Sequence, residues 1–201
     1  MDCLVVPSLP IVPDRSSDLR LGIMASGSGS NFAAVAEAIA TGQLQAKIAV
    51  LIYNNPNIKV LEYAAKYQVP TVFHDHRGVE RSALDTAIIQ TLQKYQVNCV
   101  VMAGWMRVVT PVLINAFPDR IINIHPSLLP SFPGIKAIEQ ALAAKVKISG
   151  CTVHIVHQVV DSGPILIQAA VPVLPDDTAE TLHTRIQIQE HRILPAALKL
   201  L

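Results

Sequence analysis

An amide and an imidazole stand two positions apart in this chain, at Asn123 and His125. They end the hydrophobic stretch 120–124 and precede Pro126, which stiffens the loop that follows. Side chains at positions i and i+2 of a strand point to the same face, so both groups can reach one reacting atom. Asp161, in a Val-Val-Asp-Ser-Gly-Pro turn, is the strongest candidate for a third member. A neutral donor, a titratable ring and a carboxylate are suitable parts for acid–base chemistry.

Each of these residues also has a structural interpretation. Asn123 can cap a strand end, His125 can be a hydrogen-bonded core histidine, and Asp161 can cap its own turn. The i, i+2 pairing, the proline and the position at the end of a strand favour the functional interpretation for Asn123 and His125. A role for Asp161 depends on whether its turn folds back against His125.

The composition restricts the class of protein. The chain has 201 residues, of which 51% are hydrophobic and 15% charged, with a formal net charge of +1. This length suits a single domain, and the absence of a basic run disfavours nucleic-acid partners. No apolar run reaches the roughly 18 residues that span a membrane. Cys99 and Cys151 lie in apolar runs without a C-x-x-C pattern, which predicts buried, reduced thiols and a cytoplasmic location.

Apolar runs alternate with helical patterns along most of the chain, which predicts a doubly wound α/β fold. We expect a mostly parallel, twisted sheet with helices on both faces and a C-terminal hairpin. We expect a flexible N-terminal arm over residues 1–18 and a single domain over 19–201. The predicted strands are 19–25, 48–53, 71–73, 99–103, 120–124, 151–157 and 165–173. The predicted helices are 32–42, 58–67, 79–95, 135–144 and a last helix from about 178, interrupted at Pro195.

The sequence Ser-Gly-Ser-Gly-Ser-Asn at residues 26–31 joins the first predicted strand to the first predicted helix. Backbone N–H groups at a helix N-terminus attract anions, and glycines let a phosphate approach closely. The segment lacks the lysine of a P-loop and the spacing of a dinucleotide fingerprint, so a monophosphate suits it better. The alternative is a tight turn in which Ser30 or Asn31 caps the helix.

Three further groups of residues remain open to two interpretations. The segment 103–111 contains Trp105, Met106 and Arg107, and core packing with a solvated arginine is slightly favoured over an apolar slot for a flat ring system. His74 and His76 lack further ligands at zinc-like spacing, so a surface loop is favoured and no metal site is predicted. Structural roles are expected for His154 and His157, and a solvated helix face for Gln187, Glu190 and His191.

Five of these segments, taken together, resemble the phosphoribosylglycinamide formyltransferase family of purine biosynthesis. The sequence Asn-Ile-His-Pro-Ser-Leu-Leu-Pro at 123–130 is shared across folate-dependent formyltransferases, and the serine–glycine loop and the Gln-Ile-Gln-Glu-His sequence point to the glycinamide ribonucleotide branch. The resemblance spans nearly the whole chain from about residue 20 and implies the formyltransferase fold. The matching segments, in the family's order, are 26–31, 103–107, 123–130, 161–164 and 187–191.

The resemblance implies transfer of a formyl group from 10-formyltetrahydrofolate, the co-substrate, to the amine of glycinamide ribonucleotide. It implies small-molecule partners, a monomer or homodimer, and neither metal, nucleic acid nor membrane. Asn123 and a protonated His125 would stabilise the oxyanion, and Asp161 would keep His125 charged. The implied ribonucleotide-binding residues are Ser28, Gly29, Ser30, Asn31, Gln187, Glu190 and, more weakly, Arg81. The implied folate-binding residues are Met106, Arg107, Val108, Val109 and Asn123.

Three rival functions share part of this pattern. A transferase acting on initiator methionyl-tRNA would need a basic surface and usually a further domain. A formyltetrahydrofolate hydrolase usually carries an N-terminal regulatory domain, which we do not expect in the first 20 residues. A sugar-phosphate binding module would explain the glycine loop but would leave Asn123, His125 and Asp161 without a role.

Overall fold

The computed structural model describes residues 4–7 and 19–201. Within these ranges the chain forms eight strands and six helices. In chain order they are β1 Val5–Val6, β2 Arg20–Ala25, α1 Ser30–Ala40, β3 Lys47–Tyr53, α2 Val60–Lys66, β4 Thr71–Phe73, α3 Arg81–Lys94, β5 Cys99–Met102, α4 Pro111–Ala116, β6 Ile121–His125, α5 Ala137–Ala143, β7 Ile148–Ile155, β8 Ile165–Pro172 and α6 Ala179–Leu198.

The strands form one sheet in the order β1-β8-β7-β6-β5-β2-β3-β4. Strand β2 pairs in parallel with β3 and β5, β3 with β4, and β5 with β6. Strands β7 and β8 form an antiparallel hairpin, and β1 pairs antiparallel with β8. Nearly every residue of β2, β3 and β5 is buried, as expected for parallel strands covered on both faces. The predicted α/β fold with a C-terminal hairpin is confirmed.

The described residues cluster into two compact units, and strand β6 begins in one and ends in the other. The unit of residues 19–123 has a core of aliphatic side chains from β2, β3 and β5, including Ile23, Leu51 and Val101. In the unit of residues 4–7 and 124–201, helix α6 packs on β7 and β8 and buries Leu182 and Ile186. The single domain over 19–201 stays a prediction.

Most of the predicted N-terminal arm lies outside the described residues, namely 1–3 and 8–18. Within the part that is described, Val5 pairs with Ala169 and Val6 with Gln168, which adds an edge strand that the sequence did not predict. Helix α4 was also missed, although Thr110 accepts the N–H of Val112 as an N-cap and Pro111 occupies the first turn, both ordinary start signals.

The predicted interruption of the last helix at Pro195 is wrong, because α6 continues through it to Leu198. Proline removes one backbone hydrogen bond inside a helix and normally kinks or ends it. Here Ile193, Leu194 and Ala197 are fully buried around the proline. Burial of these side chains favours continuation of the helix and offsets the lost hydrogen bond.

We expect Thr178→Ala to lower the free energy of unfolding by about 1 kcal/mol, since it removes the cap of α6. The Thr178 hydroxyl oxygen accepts the N–H of Thr181 at 3.2 Å, and the Thr181 hydroxyl oxygen accepts the N–H of Thr178 at 2.9 Å. Thr184→Ala is the matched control within the same helix, where alanine has the better helix propensity. Urea unfolding measures both variants, and equal losses of stability would contradict the capping role.

Candidate active site

The carboxylate of Asp161 lies between two histidine rings. Its Oδ2 atom is 3.4 Å from Nδ1 of His125, and its Oδ1 atom is 3.5 Å from Nε2 of His154. All three side chains are buried, with exposed fractions of 9%, 7% and 2% for Asp161, His125 and His154. The N–H of Gly134 also donates to Oδ2 at 2.7 Å. The carboxylate therefore lies against two ring nitrogens and accepts one backbone N–H.

In each ring, the nitrogen that faces away from Asp161 forms a hydrogen bond with a backbone carbonyl. Nε2 of His125 is 2.9 Å from the Phe132 oxygen, and Nδ1 of His154 is 3.0 Å from the Ile155 oxygen. A carbonyl oxygen only accepts, so both of these nitrogens donate and carry a proton. The other nitrogen of each ring faces the carboxylate, where an additional proton makes the ring a cation. This geometry suits a charged His125 with Asp161 as its counterion.

Asp161 has a pKa below its ordinary value. Burial raises the pKa of this carboxyl, but the hydrogen bonds from His154 and from the Gly134 N–H, together with the charge of His125, lower it by more. A carboxylate that is stabilised in its charged form in this way is ionised at neutral pH. Asp161 therefore acts as an anion, and not as a proton donor, in this arrangement.

The turn that carries Asp161 approaches strand β7 through a glycine. A Cβ atom added at Gly163 would lie 1.9 Å from the backbone oxygen of Ile155, so no other residue fits there without displacement of the strand. The register of the hairpin shifts between Val153 and His154. Asp161 itself adopts the left-handed conformation with φ of 54°, which aspartate tolerates better than most residues. The local sequence thus fixes the direction of the carboxylate.

The loop 126–134 supplies the backbone partners of His125 and Asp161, and the hairpin holds this loop in place. The fully buried Thr152 donates to the Ser127 oxygen at 2.7 Å and accepts the Leu129 N–H at 3.1 Å. Gln168 donates to the Leu129 oxygen at 2.9 Å. Ser127 donates in turn to the backbone oxygen of Ser131 at 2.5 Å. The loop therefore has a fixed conformation on the hairpin.

In the unit of residues 19–123, three segments with candidate functional residues lie at the carboxyl ends of neighbouring strands, which end at the same height in the sheet. Met24 pairs with Met102, and Met102 pairs with Asn123. The glycine loop begins just after Met24, and the Trp-Met-Arg segment just after Met102. Carboxyl ends of neighbouring parallel strands are where open α/β sheets bind ligands. Asn123 shares a strand with His125, two positions away.

The glycine loop leads directly into helix α1, and Gly29 is the N-cap with φ of 77°. A Cβ atom at Gly29 would lie 2.3 Å from Cγ2 of Val60, so a side chain is excluded by contact as well as by conformation. Because Gly29 occupies the N-cap position, the interpretation of Ser30 or Asn31 as the cap residue is wrong. The first turn contains no acidic residue, so its N–H groups and the helix dipole favour an anion.

The segment after β5 has an exposed apolar part and an anchored cationic part. Met106 is 71% exposed and Val108 is also exposed, whereas Trp105 and Val109 are buried. The guanidinium of Arg107 donates to the backbone oxygen of His76 at 3.2 Å and points its second amino group to the Val79 oxygen at 3.5 Å. The solvated arginine predicted from the sequence is therefore wrong.

Two further ribonucleotide-binding candidates lie on helix α6. Glu190 is buried, with 5% exposure, and Gln187 is half-buried, so the predicted solvated face is wrong for Glu190. Arg81 is exposed at the first residue of α3.

His74 and His76 lie in a loop, where His74 contacts the Thr91 hydroxyl and His76 contacts the Asn54 oxygen.

Two kinds of feature are absent from residues 4–7 and 19–201. They contain no cluster of three or more side chains that could hold a metal ion. They also contain no helix that is long and apolar enough to cross a membrane.

The sequence analysis missed the role of His154 beside Asp161. The two residues are seven positions apart and meet where the hairpin folds, beside a shift in the strand register. Ser26 and Thr152 were also missed as residues that hold loops. The available signal was a hydroxyl residue next to or within an apolar run, since a hydroxyl that becomes buried requires a partner.

Comparison with known proteins identifies the family. Residues 19–198 match the formyl transferase family. The chain belongs to that family. Phosphoribosylglycinamide formyltransferase of Bacillus subtilis (strain 168) is 39% identical over 181 residues, which are 90% of this chain and 93% of that protein. The trifunctional purine biosynthetic protein adenosine-3 of Bos taurus is 41% identical over 182 residues, but the match spans 18% of its length.

Solved structures of formyl transferases share this fold. Glycinamide ribonucleotide transformylase 1 from Symbiobacterium toebii superposes with a TM-score of 0.88 at 46% identity, covering 90% of this chain and 85% of its own. Phosphoribosylglycinamide formyltransferase from Bacillus halodurans superposes with a TM-score of 0.86 at 45% identity, covering 89% of this chain and 93% of its own. The expected formyltransferase fold is thus confirmed.

We expect Gly29→Ala to lower the free energy of unfolding by about 2 kcal/mol or more, because alanine disfavours the left-handed conformation and overlaps Val60. Gly27→Ala is the matched control in the same loop, since a Cβ atom there meets nothing within 4 Å and the residue lacks a positive φ. Thermal and urea unfolding compare the two variants. Similar stability of both variants would contradict the constrained cap.

Proposed function

We propose that this formyl transferase moves the formyl group of 10-formyltetrahydrofolate to the amine of glycinamide ribonucleotide. The products are formylglycinamide ribonucleotide and tetrahydrofolate, a step of purine biosynthesis. The observation that carries the proposal is the Asp161 carboxylate held against His125 in a member of this family. The names of the most similar relatives supply the acceptor.

The chemistry begins with attack of the amine nitrogen on the formyl carbon. A carbon–nitrogen bond forms, the carbonyl oxygen becomes an oxyanion, and the bond from the formyl carbon to folate N10 then breaks. The amine loses a proton and N10 gains one. The Asn123 amide and the positive charge of His125 stabilise the oxyanion. Asp161 keeps His125 charged and helps to move the proton, directly or through water.

The bond from His125 to Phe132 gives His125 two ways to act. While its Nε2–H donates to the Phe132 oxygen, His125 acts through its charge alone. If the loop moves so that the Phe132 oxygen leaves the ring, the same Nε2–H donates to the oxyanion. Asn123 has no such constraint on its chemistry, because an amide donor is neutral at every stage. We therefore assign hydrogen bonding to Asn123 and charge to His125.

The ribonucleotide phosphate is proposed to bind at the glycine loop, through Ser28, Gly29, Ser30 and Asn31. The glycine at the N-cap of α1 and the lack of acidic residues in its first turn support this assignment. The ribose hydroxyls are assigned to Gln187 and Glu190. The burial of Glu190 supports its part, because a buried carboxylate is a strong acceptor for hydroxyl donors.

The folate is proposed to lie along residues 106–109 and Asn123. The exposed side chains of Met106 and Val108 offer apolar contact to a flat ring. The anchored Arg107 orders the segment, and Arg81 is a weaker candidate near the phosphate. The proposed mechanism uses no metal. We also propose a cytoplasmic location and small-molecule partners, with the protein acting as a monomer or homodimer.

An assay with 10-formyltetrahydrofolate, with and without glycinamide ribonucleotide, tests the proposal. We expect the folate absorbance to change only when the ribonucleotide is present. Folate turnover without the ribonucleotide would indicate a hydrolase and contradict the proposal. Binding of both compounds without any turnover would also contradict it, and would favour a binding module.

We expect Asp161→Asn to keep the fold and to lower kcat by about a hundredfold or more, because His125 loses its counterion. Asp176→Asn is the matched control, since Asp176 is exposed and lies outside the proposed site. Steady-state kinetics and circular dichroism compare the two variants. Near-normal kcat in folded Asp161→Asn would remove Asp161 from the mechanism.

A further inference from the structure

Ser26 forms three hydrogen bonds at the point where the glycine loop begins. Its N–H donates to the Gly104 oxygen at 3.1 Å, and its hydroxyl oxygen accepts the Met106 N–H at 2.9 Å. Its own carbonyl oxygen accepts the side-chain amide of Asn55 at 2.8 Å. Ser26 is 7% exposed. One buried residue therefore ties the glycine loop to the segment after β5 and to the loop after β3.

The hydroxyl of Ser26 adds a side-chain hydrogen bond just beyond the paired residues of strands β2 and β5. Strands β2 and β5 pair up to Met24 and Met102, and the Ala103 N–H still donates to the Met24 oxygen at 2.9 Å. Gly104 then turns away with φ of 78°. Two residues further along, the Met106 N–H has the Ser26 side chain as its acceptor. Removal of the hydroxyl would leave this N–H without its partner, while the guanidinium of Arg107 would still anchor the segment.

We propose that Ser26 couples the glycine loop, residues 28–31, to the segment 106–109, so that a ligand on either one raises the affinity of the other for its own ligand. The inference rests on the proposed function, because it takes these segments as the phosphate and folate sites. Only Gly27 separates Ser26 from the loop, so Ser26 is the covalent and hydrogen-bonded connection between the loop and the Met106 N–H. Coupling between two binding sites is reciprocal by thermodynamic necessity.

A merely structural role makes a different prediction from coupling. A structural hydrogen bond would change stability, and it would change the affinity for each ligand by a factor that is independent of the other ligand. Coupling changes the ratio of folate affinities measured with and without the ribonucleotide. The ratio is therefore the deciding quantity.

The test is titration of the protein with tetrahydrofolate, alone and with saturating glycinamide ribonucleotide. Isothermal calorimetry gives the dissociation constants, and the fluorescence of Trp105, the only tryptophan, gives a second reading. We expect wild-type protein to bind tetrahydrofolate at least about fivefold more tightly with the ribonucleotide. In Ser26→Ala we expect a ratio near one.

Ser149→Ala is the matched control. Ser149 is a buried serine with 2% exposure, and its hydroxyl has no hydrogen-bond partner among the described residues. We expect it to keep the wild-type ratio. Ser26→Cys serves if Ser26→Ala does not fold, since sulfur preserves the volume but accepts hydrogen bonds weakly. It should also reduce the ratio.

Two results would overturn the inference while leaving the proposed function intact. One is a wild-type ratio near one in protein that transfers the formyl group. The other is a wild-type ratio that persists in folded Ser26→Ala and Ser26→Cys. Failure of the proposed function gives a different result, namely wild-type protein without ribonucleotide-dependent turnover. That result would also contradict the inference.

Discussion

A buried carboxylate needs donors around it, and that requirement at Asp161 shapes the C-terminal part of the molecule. An unpaired charge in such a place would cost several kcal/mol. His125, His154 and the Gly134 N–H compensate for burial together. The close approach at Gly163 and the loop on Thr152 hold these donors in place. The same contacts that permit burial also leave His125 with an anion on one side and a carbonyl on the other.

In the N-terminal unit, the candidate ligand-binding segments begin where parallel strands end. Hydrogen bonds to backbone groups from Ser26, Asn55 and Arg107 hold these segments. Gly29 excludes a side chain beside α1, and the Ser26 hydroxyl accepts the Met106 N–H. Such a site attracts an anion through fixed dipoles and does not require a cationic side chain. The proposed mechanism places its charges on His125 and Asp161.

The parts of the fold that depend on local pattern were predictable from the sequence. Strand β4 was predicted at its exact bounds, and the hairpin was confirmed, because apolar runs and turn residues specify both. The continuation of α6 through Pro195 was not predictable in this way, since it depends on burial against other elements. His154 was missed for a similar reason: its partner is set by a shifted strand register, which no local pattern reveals. The short strand β1 was missed because it pairs with β8, whose residues lie far from it in the sequence.

The central claim is that Asp161 and Phe132 orient the His125 ring and leave a proton on its Nε2 atom. Nitrogen-15 NMR of the histidine rings, with the His125 signals assigned by their loss in His125→Gln, tests this directly at neutral pH. The account predicts a protonated Nε2 atom that donates to the Phe132 oxygen, with its proton protected from exchange. A neutral ring with its only proton on Nδ1 would contradict it, because a bare Nε2 atom cannot donate to a carbonyl.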